Sequence, residues 1–335
     1  MQLATAPATF LSEDEMSKPR ITVVILNWNR KDDLRDCLNS IKRQTYRDVE
    51  VIVADNRSRD GSQAMLAAEF PGVRLIQMPR NVGVAGSNAA MKVARGEFVV
   101  LIDNDMILIE EDAFEKVVKR FENRAEMGSL AFRVVDANSN QVSYNSPKYS
   151  EGDEKIGYEA SAFDGGGVAI RRSVLEEVGY SPEEFFIYQN EIDLSTKIWA
   201  GGWEIRYFPD ITVVHKFSMT SRPPRLFYYL WHRNYMWYFW KYFPALYAVR
   251  ETARFITLGA MDSLADEYEG TWLRAVLMAF VGLPKILRRR RAVPLEVVRK
   301  IQRIRDEDYI RKTDGRTDGR TTRRLLDRYA RRHSR

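Results

Sequence analysis

The chain has 335 residues, 45% of them apolar, enough to bury the core of one large α/β domain with a C-terminal elaboration, or of two domains. Cys37 is its single cysteine, which excludes an intrachain disulfide and suits a reducing compartment. Charge is uneven: residues 285–335 hold 19 Lys and Arg against 7 Asp and Glu, whereas the body before them is net acidic. A polyanionic partner, membrane surface or nucleic acid, is therefore expected at the tail and not on the body.

Residues 1–19 lack the basic start and apolar centre of a secretion signal and read as a flexible lead. Ile21-Thr-Val-Val-Ile-Leu26 is a β-rich run that opens into Asn27-Trp28-Asn29-Arg30. Asp32 or Asp33 is placed to cap a helix that carries Leu34, Leu38 and Ile41 at helical spacing. Val49–Ala54 is a second strand ending at Asp55-Asn56, and the loop Arg57–Ser62 leads into a helix over 63–70. A strand at 73–77, a helix at 88–94 and a strand at 98–102 follow. Strands alternating with helices predict a mostly parallel α/β sheet with right-handed crossovers.

Beyond residue 105 the spacing predicts a helix over 111–123, a strand over 129–135 and an exposed loop or irregular hairpin over 136–160. Helices over 172–178 and 194–200 and β-runs at 205–209 and 211–215 complete this part. Leu226–Pro244 is densely aromatic, but His232, Arg233, Asn234 and Lys241 interrupt it, so it is not a membrane span. The apolar run Trp272–Leu283 is too short to cross a bilayer and is followed by Lys285 and Arg288–Arg291, the pattern of an interfacial helix beside a basic cluster. Most aromatics are expected in a core, with one face meeting the membrane. Thr313–Arg320, a short Asp-Gly-Arg repeat, reads as a flexible element. The chain thus divides into a lead (1–19), a catalytic-looking domain (20–221), an aromatic-rich, helical, membrane-facing region (222–292) and a basic tail (293–335).

The chemistry concentrates where strands end. Val99-Val-Leu-Ile102 reads as a strand buried on both faces, running straight into Asp103-Asn104-Asp105. Open α/β sheets bind ligands at such carboxyl ends, and carboxylates at i and i+2 there can share one hard divalent cation whose other positions go to water or phosphate. The loops at Asn27–Asn29, Asp55-Asn56, the 80s and Asp103–Asp105 share that sheet edge. Trp28 is suited to contact a flat base. The stretch Arg80-Asn-Val-Gly-Val-Ala-Gly-Ser-Asn88 offers a cation, two glycines and a helix start for phosphate oxygens. It has neither dinucleotide-fingerprint nor P-loop spacing. Of Glu191 and Asp193, one is expected to be a general base and the other a structural partner. His215, ending a β-run, is a candidate nitrogen ligand for the metal.

Together these pieces resemble the inverting family 2 glycosyltransferases of the GT-A fold, nearest their rhamnosyltransferase-like branch. The matching stretches are Val24–Arg30, Ala54–Ser62, Asn81-Val-Gly83 with Asn88, Asp103–Asp105, Asp164–Arg172, Phe185–Leu194 and Pro209–His215. The resemblance runs from Ile21 to Ser221. It implies an α/β GT-A sheet, mostly parallel and flanked by helices, with a helical C-terminal region. It implies that Asn27 and Asp55 hold a nucleobase, with Asn56 and Arg80 as further nucleotide contacts and Asp103 on the ribose side. Asp105 and His215 would then hold a divalent metal, Mg²⁺ or Mn²⁺, with Asp164 and Gly165 on the donor-sugar or acceptor side. Glu191 takes the place of the base, although relatives more often carry Glu-Asp followed by a residue and Asp-Leu, where this chain reads Asn190-Glu191-Ile-Asp193-Leu.

The implied partners are a nucleotide-sugar donor, a glycan or lipid-linked acceptor and a membrane surface, with a homo-oligomer left open. The implied location is cytoplasmic, at the inner face of the cell membrane. Two other readings remain at this level: a nucleotide-sugar-binding protein without turnover, and a protein that binds nucleic acid through its basic tail.

Overall fold

The computed structural model describes residues 20–139, 142, 157–216 and 223–312. The lead, most of the expected 136–160 loop and the Asp-Gly-Arg repeat lie outside the described residues. The first half alternates as expected: β1 (Ile21–Asn27), α1 (Lys31–Lys42), β2 (Val49–Asp55), α2 (Ser62–Glu69), β3 (Arg74–Gln77), a short 3₁₀ turn at Gly83–Gly86, α3 (Ser87–Val93) and β4 (Phe98–Asp103). Next come β5 (Met106–Leu108), α4 (Ala113–Glu122), β6 (Met127–Asp136), β7 (Tyr158–Glu159), β8 (Gly167–Arg171), α5 (Arg172–Val178), α6 (Asn190–Ala200) and β9 (Glu204–His215). Four helices follow: α7 (Pro224–Tyr242), α8 (Ala245–Ala265), α9 (Glu269–Arg288) and α10 (Leu295–Lys312).

The strands form one sheet in the order β3-β2-β1-β4-β8-β6-β9-β5, with β7 beside β9. The β3-β2-β1-β4 half is parallel. The other half is mixed, because β8 runs antiparallel to both β4 and β6, and β5 antiparallel to β9. The expectation of a mostly parallel sheet therefore describes only the β3-β2-β1-β4 half, whose strands are connected through helices that cross back over the sheet. Strand β1 shows why such runs are apolar without alternation. Ile21, Val23 and Ile25 enter the core beneath α1 and α4, while Val24 enters the core beneath α3, α5 and α6. On β4, Phe98, Val100 and Ile102 take the first side and Val99 and Leu101 the second. Both faces are covered, so these runs are apolar except for buried Thr22, whose hydroxyl donates to Glu50, and the strand-end residues Asn27 and Asp103.

Local chemistry departs from the sequence reading in three places. α1 begins at Lys31, so Asp32 and Asp33 sit in its first turn and not at its cap. The Lys31 N–H is instead accepted by Asp60 at 2.7 Å, from the loop after β2. The runs at 205–209 and 211–215 are one strand, β9; its register against β6 slips between Phe132 and Arg133, where Phe208 and Thr212 are their partners. Pro209, which has no N–H to give a ladder, lies in that bulge. Finally, α9 is 20 residues long, not the short segment expected. By length and composition it is the one helix among the described residues able to cross a membrane.

The aromatic segment also behaves differently. From Phe227 to Tyr242 no residue of α7 is exposed, and Met236, Trp237, Phe239, Tyr242 and Phe243 form a third core with residues of α8, α9 and α10. The aromatic run is therefore the core of the helical region and presents no apolar face outward. Apart from Leu226 at the start of α7, the large exposed apolar residues of this region lie on α8 and α9.

Candidate active site

Asn27 and Asp55 end neighbouring parallel strands and are register partners. Asn27 donates from Nδ2 to Asp55 Oδ1 at 2.9 Å and accepts at Oδ1 from Asn104 Nδ2 at 2.8 Å. Asp55, fully buried, also accepts from the Ser58 N–H and hydroxyl and from Gln63 Nε2, at 2.6–2.8 Å. These bonds shape the loop after β2. Asn56, also buried, donates to the Gly83 carbonyl at 3.0 Å and so holds the 80s loop beside β2. Arg80 is exposed at the start of that loop and makes no ion pair among the described residues.

On the other side of β1, Asp103 is the last residue of β4 and Asp105 lies two residues on, nearly buried. The antiparallel pairing of β5 with β9 brings His215 opposite Met106. It leaves His215 Nε2 at 3.3 Å from Asp105 Oδ2. Arg30 Nη1 reaches the same oxygen at 2.9 Å. An oxygen and a nitrogen that both bind one cation at about 2.1 Å and right angles lie about 3 Å apart, so this carboxylate–imidazole pair fits a divalent ion. Among the described residues no cluster of three His, Cys, Asp or Glu forms, so two protein ligands would leave the remaining positions to water and phosphate oxygens. Arg30 shows that the pocket already attracts positive charge to Asp105.

A glycine loop joins the two acidic positions. A side-chain carbon on Gly166 would lie 2.7 Å from the Asp103 carboxyl carbon, and one on Gly165 would lie 2.6 Å from Glu191 Oε1. Gly165 and Gly166 are thus threaded between Glu191 and Asp103, where a side-chain carbon at either position would crowd a carboxylate. Glu191 occupies the first turn of α6 and is half-buried. Burial, with the Asp103 and Asp164 carboxylates adding to it, pushes its carboxyl up to about 7.

Asp193, two residues along, points to the opposite side of the helix, as i and i+2 positions must. It is fully buried, with Lys241 Nζ at 2.7 Å and Lys197 Nζ at 3.1 Å. Lys241 also bridges to Glu184 at 2.8 Å. Burial raises the Glu184 carboxyl, but the Lys241 ammonium outweighs it and holds the group below the usual carboxylate range.

The segment leading into α6 is strained. Phe186, Tyr188 and Gln189 have φ of 67°, 69° and 64°, unusual for large side chains. Asn234 of α7 explains how the segment persists. Fully buried, it reaches from Nδ2 to the carbonyls of Phe185, Ile187 and Tyr188 at 2.8–3.0 Å. Phe186 O in turn accepts from the Val84 N–H at 2.7 Å, locking the 80s loop to the same segment. Further along α7, the Tyr238 hydroxyl pairs with Thr196 Oγ1 at 2.9 Å. Asn234, Tyr238 and Lys241 thus form an i, i+4, i+7 polar ridge that holds α6 and its entrance. The sequence reading used two of these residues only to argue against a membrane span. The available signal was their common helix face in an otherwise apolar run.

A half-parallel sheet with a carboxylate pair at β4, a histidine opposite it and a half-buried carboxylate across a glycine loop is the arrangement the resemblance to the GT-A fold implied. Comparison with known proteins agrees. Residues 22–179 match the model of Glycosyl transferase family 2. The chain is similar to the O-antigen chain rhamnosyltransferase of Salmonella typhimurium, 23% identical over 61% of this chain and 68% of that protein. It is also similar to the N-acetylglucosaminyl-diphospho-decaprenol L-rhamnosyltransferase of Mycobacterium tuberculosis, 21% identical over 61% of this chain and 78% of that protein. Among solved structures, a mannosyltransferase from Pyrobaculum calidifontis in complex with GDP-Man and Mn²⁺ superposes with a TM-score of 0.54 at 21% identity, over 79% of this chain and 76% of that one. The sheet that holds residues 22–179 thus has a GT-A-like fold.

Proposed function

We propose that this chain transfers a sugar from a nucleoside diphosphate sugar to a hydroxyl of a glycan or lipid-linked acceptor, with inversion, and that Glu191 is the general base. The observation that carries this reading is the placement of Glu191. Its carboxyl lies against the glycine loop that touches Asp103, and is held near neutrality. The rhamnosyltransferase relatives support the reaction class, and the decaprenol-linked substrate in one relative's name supports a lipid-linked acceptor.

In this reading the Glu191 carboxylate takes the proton from the acceptor hydroxyl as its oxygen attacks the anomeric carbon. The bond to the nucleoside diphosphate breaks with its electron pair on the leaving phosphate oxygen. Asp105 and His215 would hold a divalent cation, which when bound stabilises charge on the diphosphate. Arg80, exposed and without an ion pair among the described residues, is available to the same phosphates. Asp193 is assigned the structural role, because its carboxylate is committed to Lys241 and Lys197.

The test is release of nucleoside diphosphate from a panel of UDP-, dTDP- and GDP-sugars, with Mg²⁺ or Mn²⁺, with chelator, and with Glu191→Gln and Asp105→Ala. Release from one donor, lost in all three controls, supports the reading. Metal-dependent nucleotide binding without release from any donor, acceptor extract included, would favour a binding protein without turnover.

A further inference from the structure

Among the described residues, the helical region leaves large apolar side chains of α8 and α9 exposed. α9 turns Ala275, Ala279, Gly282 and Ile286 toward α7. There Trp237 donates from Nε1 to the Ala279 carbonyl at 2.9 Å, and a side-chain carbon on Gly282 would lie 2.3 Å from the Trp237 ring. On the opposite side of the same helix, Leu273, Leu277, Phe280, Val281 and Leu287 share one stripe at i, i+4, i+7, i+8 and i+14 spacing and are exposed, Val281 by 62%. α8 exposes Leu246 and Val249 near its start and Met261 and Leu264 near its end, Leu246 being 88% exposed, with Arg250, Arg254 and Thr257 exposed between them. Nine large apolar side chains exposed on two helices in contact exceed what a soluble monomer leaves open singly.

Charge indicates the occupant. Arg290 donates to the carbonyls of Trp240 and Phe243, so the end of α9 lies beside the α7–α8 corner. Lys285 and Arg288 are exposed at that end and make no ion pair among the described residues. The chain from Lys285 onward holds the 19 Lys and Arg against 7 Asp and Glu, so a second copy would bring like charge against like. An anionic bilayer would not. α9 also has the apolar length of a membrane segment while remaining mostly unburied. We propose that the outer face of α8 and α9 lies in the interface of an anionic phospholipid bilayer, with Leu273, Leu277, Phe280 and Val281 among the acyl chains and Lys285 and Arg288 against lipid phosphates. The Trp237 contacts keep α9 on the bundle, in the membrane plane and not across it. This docking is independent of the transferase reading.

The test is flotation of the full chain with phosphatidylcholine vesicles, with and without phosphatidylglycerol. Binding is expected with phosphatidylglycerol and to be much weaker without it. Leu277→Gln with Val281→Gln, both at exposed positions and expected to leave thermal unfolding unchanged, should weaken it about tenfold or more. Lys285→Gln and Arg288→Gln should each weaken it about fivefold, on the phosphatidylglycerol vesicles alone. Alkaline carbonate should release the bound chain. Flotation unaffected by the apolar pair would overturn the proposal. So would retention through carbonate, which indicates a span. A dimer that the apolar pair converts to a monomer, with no vesicle binding in the parent, would assign the face to a second copy.

Discussion

Glu191 and Asp193 show how two carboxylates on one turn of helix acquire different chemistry. The helix sends them to opposite sides, one toward the glycine loop and one toward two lysines. Glu191→Gln is expected to lower turnover by about 10²–10⁴-fold with donor affinity retained, measured by steady-state release and by calorimetry. Because the base must be ionised, the parent's rate should rise as pH passes through about 7. The same shift has a stability consequence of opposite sign. A carboxyl raised from 4.5 in the unfolded chain to about 7 in the fold favours the protonated folded state. The ligand-free protein should therefore lose stability between pH 4.5 and 7, by about 2 kcal/mol once partial exposure is allowed for. Glu191→Gln should flatten that part of the profile in urea titrations. At the glycine loop, Gly165→Ala places a methyl against Glu191 Oε1 and should reduce turnover while leaving metal-dependent nucleotide binding in place.

At the scale of elements, α7 is the splint of α6. Asn234→Ala removes the donor from three carbonyls in a segment with three positive φ angles, and should cost about 1–3 kcal/mol. Turnover should fall more than donor affinity, because the segment leads into the helix that carries Glu191. Lys241→Met leaves Glu184 and Asp193 buried with less compensation and should destabilise by about 3–5 kcal/mol in denaturant. Glu184 sharpens this through pH. Its depressed carboxyl contributes stability that is full above its ordinary value of 4.5 and lost as pH falls through the folded value. The Lys241→Met protein should therefore show a smaller acid-side loss than the parent.

Across the whole molecule, the sheet and the helical region are joined by bonds that cross between them. Lys241 reaches Asp193, Arg289 reaches Glu184 at 2.8 Å, and Arg291 donates to the Val178 carbonyl at 3.2 Å. These bonds tie the sheet edge that carries the candidate site to α7 and the end of α9, so a bilayer docked on α9 and a donor bound at that edge would be presented together. Nucleoside diphosphate with Mn²⁺ is expected to raise the unfolding midpoint by a few degrees, corresponding to about 2.7 kcal/mol at a hundredfold excess over Kd. Chelator, Asp105→Ala or His215→Ala should remove the shift, and scanning calorimetry reads it directly.

The amino-acid sequence by itself determined the strand–helix alternation, the strand ends that carry Asn27, Asp55 and Asp103–Asp105, and the acidic first turn of α6. These are local: apolar runs, turn residues and helical spacing act over a few positions, and the parallel half of the sheet follows from the crossovers they require. Tertiary structure decided what depends on distant partners. Asp105 and His215 are 110 positions apart and meet only because β5 turns back along β9. The division of labour between Glu191 and Asp193 rests on Lys241, 48 positions beyond Asp193, and on the close passage of Gly165. The aromatic run was legible as mostly core, but not which helices would pack against it, because burial is a property of what packs against a helix. α8 and α9 cover α7, and so the exposed apolar surface falls on them.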